Sequence, residues 1–130
     1  MLKSLLVEDN AEFRAFMRGL LLERFPGGVV EEAGDAAEAL RLVASGGHDI
    51  FVIDIALAGR INGLALIAEI RSRGRRSPIL VMSSHSIPEY QLEAARVGAD
   101  WFLSKVTCTR EQIVAALERL VLLGGRIPES

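Results

Sequence analysis

FVIDIALAG, residues 51–59, is where the chain commits to a fold. Phe51, Val52 and Ile53 are apolar without alternation, the pattern of a strand covered on both faces. Asp54 follows at once, then Ile55 and Ala56. The carboxylate at the strand's end has two readings. Either it caps the turn that follows, or it meets chemical partners supplied by other segments, and only the rest of the chain decides.

Outward from this stretch, strands and helices alternate. SLLVE (4–8) is a short apolar strand. Asn10 offers an N-cap side chain, with Phe13, Phe16, Met17, Leu20 and Leu21 behind it at helical spacing. Pro26-Gly27-Gly28 ends that helix. VVEEA (29–33) is a strand whose two acids suit a place near a sheet edge. Asp35 and Glu38 form a capping box, Leu40 and Val43 face inward, and Gly46-Gly47 stops the helix. IFVID (50–54) is the third strand. A loop with Ala58-Gly59 and Asn62-Gly63 leads to a helix through Leu64, Ile67 and Ile70, broken at Gly74. Pro78 introduces ILVMS (79–83), again apolar on both faces. Ser86 and Glu89 bracket Ile87-Pro88 as a second capping box, with the proline in the first turn, where its missing N–H is harmless. That helix runs to about Val97, before Gly98. WFLS (101–104) is the fifth strand. Thr109 and Gln112 make a third box ahead of Ile113, Ala116, Leu117, Leu120 and Val121, and Gly124-Gly125 ends the last helix. Five strand–helix pairs predict an α/β domain over residues 1–124, a parallel sheet with helices on both faces, followed by a polar tail at 125–130. No linker or output domain is expected after it.

With 130 residues, half of them apolar and a quarter charged, the chain has the size and balance of one soluble domain. A net charge of −2 offers no basic field to nucleic acid, so no direct nucleic-acid partner is expected. The one basic cluster, RSRGRR (71–76), reads as a solvated helix end and loop, with a partner contact as the sharper alternative. Cys108 stands alone, which excludes an internal disulfide and a cysteine zinc site and suits a reducing cytoplasm. No signal peptide and no apolar run long enough to span a membrane is present. The expected location is cytoplasmic.

Ligands of open parallel α/β sheets bind outside the carboxyl ends of the strands. Those ends carry Glu8-Asp9 after the first strand, Asp54 after the third, Ser83-Ser84 after the fourth and Ser104-Lys105 after the fifth. Three carboxylates at close range repel by about 4 kcal/mol per pair at 4 Å in an effective dielectric near 20. Lys105 offsets part of this. A hard divalent cation such as Mg²⁺ would offset the rest, because every donor is oxygen. Any one of these acids alone would read as a cap; together with Lys105 they read as a site.

LLVEDN (5–10), VIDIALAGRINGLAL (52–66), PILVMSSHS (78–86) and GADWFLSK (98–105) resemble the receiver domains of two-component response regulators, nearly end to end. The resemblance implies a flavodoxin-like, doubly wound sheet of five parallel strands in order 2-1-3-4-5 with five helices. It implies a signalling phosphoacceptor rather than an enzyme acting on other molecules. Asp54 would accept a phosphoryl group from a phosphohistidine of a histidine kinase or phosphotransfer protein. Mg²⁺ would be held by Glu8, Asp9, Asp54 and the backbone carbonyl of Ala56. Lys105 and the Ser83 hydroxyl would each take a phosphoryl oxygen, and Ser83 with Phe102 would form the switch. The output would be an altered protein-binding face over roughly 87–97, 101–104 and 110–123, read by a downstream protein. Phe102 reads equally as an ordinary aromatic of core or surface. His85 either leans over the site and tunes hydrolysis or is simply solvated, and His48 reads as structural.

Departures from the family pattern stand beside the resemblance. Val106 replaces the usual proline after the lysine, which leaves the placement of Lys105 open. Ala58 replaces a common proline, in a loop one residue longer than usual. An aspartate-nucleophile phosphatase would need a second acid at Ala56. A flavin site would want a hydroxyl- and glycine-rich loop where Glu8 and Asp9 stand. The remaining alternative is a receiver-like interaction module that is not phosphorylated.

Overall fold

Strand and helix alternate five times in the computed structural model, which describes residues 1–122. The elements are β1 (Lys3–Val7), α1 (Ala11–Arg24), β2 (Val29–Ala33), α2 (Ala36–Ser45), β3 (Ile50–Ile53), α3 (Gly63–Ser72), β4 (Ile79–Ser83), α4 (Pro88–Val97), β5 (Trp101–Ser104) and α5 (Arg110–Leu122). All neighbouring strands are parallel, in the order β2-β1-β3-β4-β5. This is the predicted order, with β2 at an edge as its two acids suggested.

Alternate side chains of the central strands feed two cores. Leu5, Val7, Phe51, Ile53, Ile79 and Val81 pack against α2, α3 and α4 through Val43, Ile67, Ile70 and Ala94. Leu6, Ile50, Val52, Leu80 and Met82 pack against α1 and α5 through Met17, Leu21, Ile113 and Leu117. Every residue of β3 and β4 is buried. The unbroken apolar runs thus mark strands sandwiched between helical layers. The chain leaves β1 for β2 on one side and returns to β3 on the other. The crevice where strand order reverses therefore opens above β1 and β3.

Several local expectations are corrected. β1 ends at Val7 and β3 at Ile53, so Glu8 and Asp54 stand one residue beyond their strands. Phe16 is exposed and only Met17, Leu20 and Leu21 of α1 are buried, because α1 turns a narrow stripe to the sheet. Leu40 does face inward as expected, half-buried against the core. Asp35 accepts the Glu38 N–H at 2.8 Å, but no bond returns from the Glu38 side chain. The Ser86–Glu89 box does not form. Pro88 opens α4, fixing Ile87 in an extended conformation as N-cap with no side-chain bond, so the helix starts one residue too late for Ser86 to cap it. Thr109 and Gln112 do form a reciprocal box, at 3.1 and 2.8 Å.

The arginine cluster is likewise not simply a solvated end. Arg71 turns inward and donates to the carbonyls of Arg75, Ser77 and Gly98 and to the Asp100 carboxylate, all within 3.0 Å. It ties α3 to the starts of β4 and β5, while Arg73 and Arg76 remain exposed. His48 is buried, with Nε2 2.7 Å from Glu31 Oε1, the structural role its position suggested. The helix stop at Gly124-Gly125 and the tail at 125–130 lie outside the described residues.

Candidate functional site

The parallel ladder continues one residue past β1 and β3. Glu8 donates its N–H to the Ala33 carbonyl and Asp54 donates its own to Val7, both at 3.0 Å. That register delivers both carboxylates to one edge. Glu8, Asp9 and Asp54 each offer a carboxylate oxygen within 4.8 Å of the other two. Glu8 and Asp54 are 2% and 5% exposed, while Asp9 is open to solvent.

Lys105 closes the group. Its Nζ donates to Asp54 Oδ2 at 2.8 Å and to Glu8 Oε1, and its side chain is 15% exposed. The backbone that presents it is fixed by the Lys105 N–H on the Ser83 carbonyl at 2.9 Å. All described peptide bonds are trans, including Lys105–Val106, so the lysine reaches the site without the usual proline. Burial works to lower the Lys105 pKa, but the hydrogen bonds and charges of Asp54 and Glu8 outweigh it and raise it. The ammonium stays charged. Burial pushes the Glu8 carboxyl above its ordinary range, against the opposing pull of Lys105 and the Asn10 N–H. For Asp9 the smaller burial is outweighed by hydrogen bonds, that of the Ala58 N–H foremost, and its pKa is lowered.

The loop after β3 adds fixed donors. Asp54 Oδ1 accepts the Ala56 N–H at 2.9 Å, and Asp9 Oδ2 accepts the Ala58 N–H at 2.8 Å. Leu57 and Arg60 exchange backbone bonds at 2.8 and 3.1 Å around Ala58-Gly59, whose φ values are both positive, 55° and 75°. The loop thus folds into a two-residue hairpin with Ala58-Gly59 at its tip, leaning on Asp9.

Ser83 ends β4 fully buried. Its Oγ accepts the His85 N–H at 3.0 Å, which leaves its own hydrogen free to donate. No hydrogen bond links it to Asp54 among the described residues. Phe102 is half-buried against the α2–α3–α4 core, and His85 is exposed, its ring 6.3 Å from that of Tyr90. Glu8, Asp9, Asp54 and Lys105 are therefore brought together, with Ser83 and Phe102 on the two strands alongside. Sequence reasoning missed Phe13, whose ring lies 4.4 Å from Lys105 Nζ. Helical spacing marked it only as apolar; its place in the turn right after the acidic pair was the available signal.

Residues 5–118 match the family model of the response regulator receiver domain. This chain belongs to that family. The receiver is 39% identical over 104 residues to the two-component response regulator PhoP of Pseudomonas aeruginosa, covering 80% of this chain and 45% of that protein. It is 32% identical over 117 residues to the response regulator MprA of Mycobacterium ulcerans, covering 90% and 49%. The chain thus spans about half the length of these curated relatives. Among solved structures, a LuxR-family two-component response regulator from Aurantimonas aligns with a TM-score of 0.81 at 32% identity, over 92% of this chain and 84% of that one. The Vibrio cholerae chemotaxis protein CheY4 aligns with a TM-score of 0.81 at 27% identity, over 92% and 98%. Receivers are signalling phosphoacceptors, phosphorylated by histidine kinases, and bind Mg²⁺ in an acidic pocket. The acidic trio of this receiver has the all-oxygen donor set and excess negative charge that suit such an ion. No described helix is long and apolar enough to cross a membrane.

Proposed function

We propose that this receiver takes a phosphoryl group onto Asp54 from the phosphohistidine of a histidine kinase or phosphotransfer protein, with Mg²⁺ held by Glu8, Asp9, Asp54 and the Ala56 carbonyl. The observation that carries the reading is the buried Asp54 carboxylate, bonded to Lys105 and sharing a 4.8 Å cluster with two more acids. One Asp54 oxygen attacks phosphorus, the P–N bond to the donor imidazole breaks, and its electron pair leaves with the imidazole. Asp54 is aimed by the Ala56 N–H on Oδ1, which leaves Oδ2 to Lys105 until a phosphoryl oxygen takes the ammonium over. Such chemistry is chiefly positioning and charge neutralisation. The bound ion supplies the further positive charge that lets an anionic donor approach three carboxylates. The Ser83 hydroxyl then donates to a phosphoryl oxygen, and its shift starts the switch that Phe102 follows.

The signal leaves through the face of α4, β5 and α5 toward a protein partner. Cavities of about 290 and 280 Å³ flank β5 there, one lined by Gln91, Ala94 and Phe102, the other by Leu103, Ala116 and Arg119. Incubation with acetyl phosphate and Mg²⁺, followed by intact-mass measurement, tests the reading. The expected result is one phosphoryl group on the wild type and none on Asp54→Asn. An unlabelled wild type would leave the non-phosphorylated interaction module as the better account.

A further inference from the structure

We infer that Phe13 is a positioning residue for Lys105, its ring face serving as the platform on which the ammonium moves between Asp54 and an incoming oxyanion. Lys105 Nζ lies 4.4 Å from the Phe13 ring centroid, within the range in which the ring quadrupole attracts a cation. The two carboxylates and this ring leave the lysine side chain only 15% exposed. The Lys105 N–H on the Ser83 carbonyl fixes the Cα but not the course of the side chain beyond it. Val106 beside it is 76% exposed, and its N–H is satisfied locally by Ser104 Oγ at 3.2 Å. A lysine stem with four rotatable bonds has no path fixed by such a turn.

Phe13 itself is well anchored. Its N–H donates to Asn10 Oδ1 at 2.8 Å, which sets the first turn of α1. Its ring packs on the α1–α5 core and sits 5.8 Å from that of Phe16. A ring face suits the task in a way another acceptor would not. It attracts the ammonium without occupying any of its N–H bonds, so all three remain for oxygen atoms. It also has no single preferred direction, so the cation can pivot when Glu8 and Asp54 are engaged elsewhere. The catalytic consequence rests on the phosphoacceptor reading; the contact does not.

Two measurements keep these apart. In the unphosphorylated wild type, the ring current should move the Lys105 Hε and Cε NMR signals upfield. Phe13→Leu should abolish that displacement, and Phe13→Tyr should keep it. Under acetyl phosphate, Phe13→Leu should be labelled more slowly by about tenfold, between the scales of an exposed and a desolvated cation–π contact, with Phe13→Tyr restoring the rate to within about twofold. Phe13→Met serves as the non-aromatic variant should leucine impair folding. Unchanged Lys105 signals in a folded Leu or Met variant would overturn the inference, as would labelling of that variant at the wild-type rate. Failure to label the wild type would sink the phosphoacceptor reading, while the NMR comparison would still decide the contact.

Discussion

Ala58 is the only non-glycine residue with a positive φ among those described, at 55°. The left-handed region costs an alanine about 1–2 kcal/mol, a cost glycine escapes at the expense of some chain entropy. Ala58→Gly should therefore stabilise the fold by roughly 0.5–1 kcal/mol, read as a higher urea midpoint at unchanged slope. In the sequence this loop reads as one residue longer than usual, with Ala58 in place of a common proline. The sequence did not show the hairpin, because what holds an alanine there is a distant carboxylate, Asp9, accepting its N–H. Asp54, Glu8, Asp9 and Lys105 were legible for the opposite reason. Each stands within two residues of the end of an apolar run, and parallel pairing sends the ends of such runs to one edge whatever the loops do. Phe13 was not legible as a site residue, since helical periodicity identifies a face and not the neighbour across from it.

Helix starts show how a local signal holds or fails. Three capping boxes were readable; one forms fully, one by half, and one is displaced by Pro88. Thr109→Ala should thus cost about 1 kcal/mol in thermal or urea unfolding, whereas Ser86→Ala should cost near zero through capping. The start of α3 has a tighter constraint. A Cβ on Gly63 would stand 2.4 Å from both the Asp54 carbonyl oxygen and the Ile55 Cα. Gly63→Ala must push the chain at Asp54 and Ile55, at about 1–3 kcal/mol. It should slow acetyl phosphate labelling as well as lower stability, an effect that a purely remote packing defect would not produce.

Across the whole molecule, the two ends of the sheet are fastened differently. At one end Arg71 and Asp100 join four segments through neutral carbonyls and one ion pair. Arg71→Lys keeps the charge and loses the planar fork, and should cost about 2 kcal/mol without changing labelling. At the other end, three carboxylates face one ammonium, so a divalent cation should stabilise the folded state. At a free Mg²⁺ concentration a hundredfold above its Kd, linkage gives about 2.7 kcal/mol, or a rise in Tm of roughly 10 °C. Asp9→Asn and Asp54→Asn should lose most of that rise, and sodium chloride at matched ionic strength should not reproduce it. The layer order was readable because every central strand is apolar on both faces. The inward turn of Arg71 was not, because its partners are loop carbonyls and the Asp100 carboxylate, which only the finished fold brings together.

The single tryptophan, Trp101, sits on edge strand β5, 39% exposed and bordering both flanking cavities. The chain therefore carries its own optical gauge. Occlusion of that edge by a binding protein that brings no tryptophan of its own would shift the indole emission toward the blue. The untagged molecule can thus be titrated in a fluorimeter cell, with no dye to disturb it.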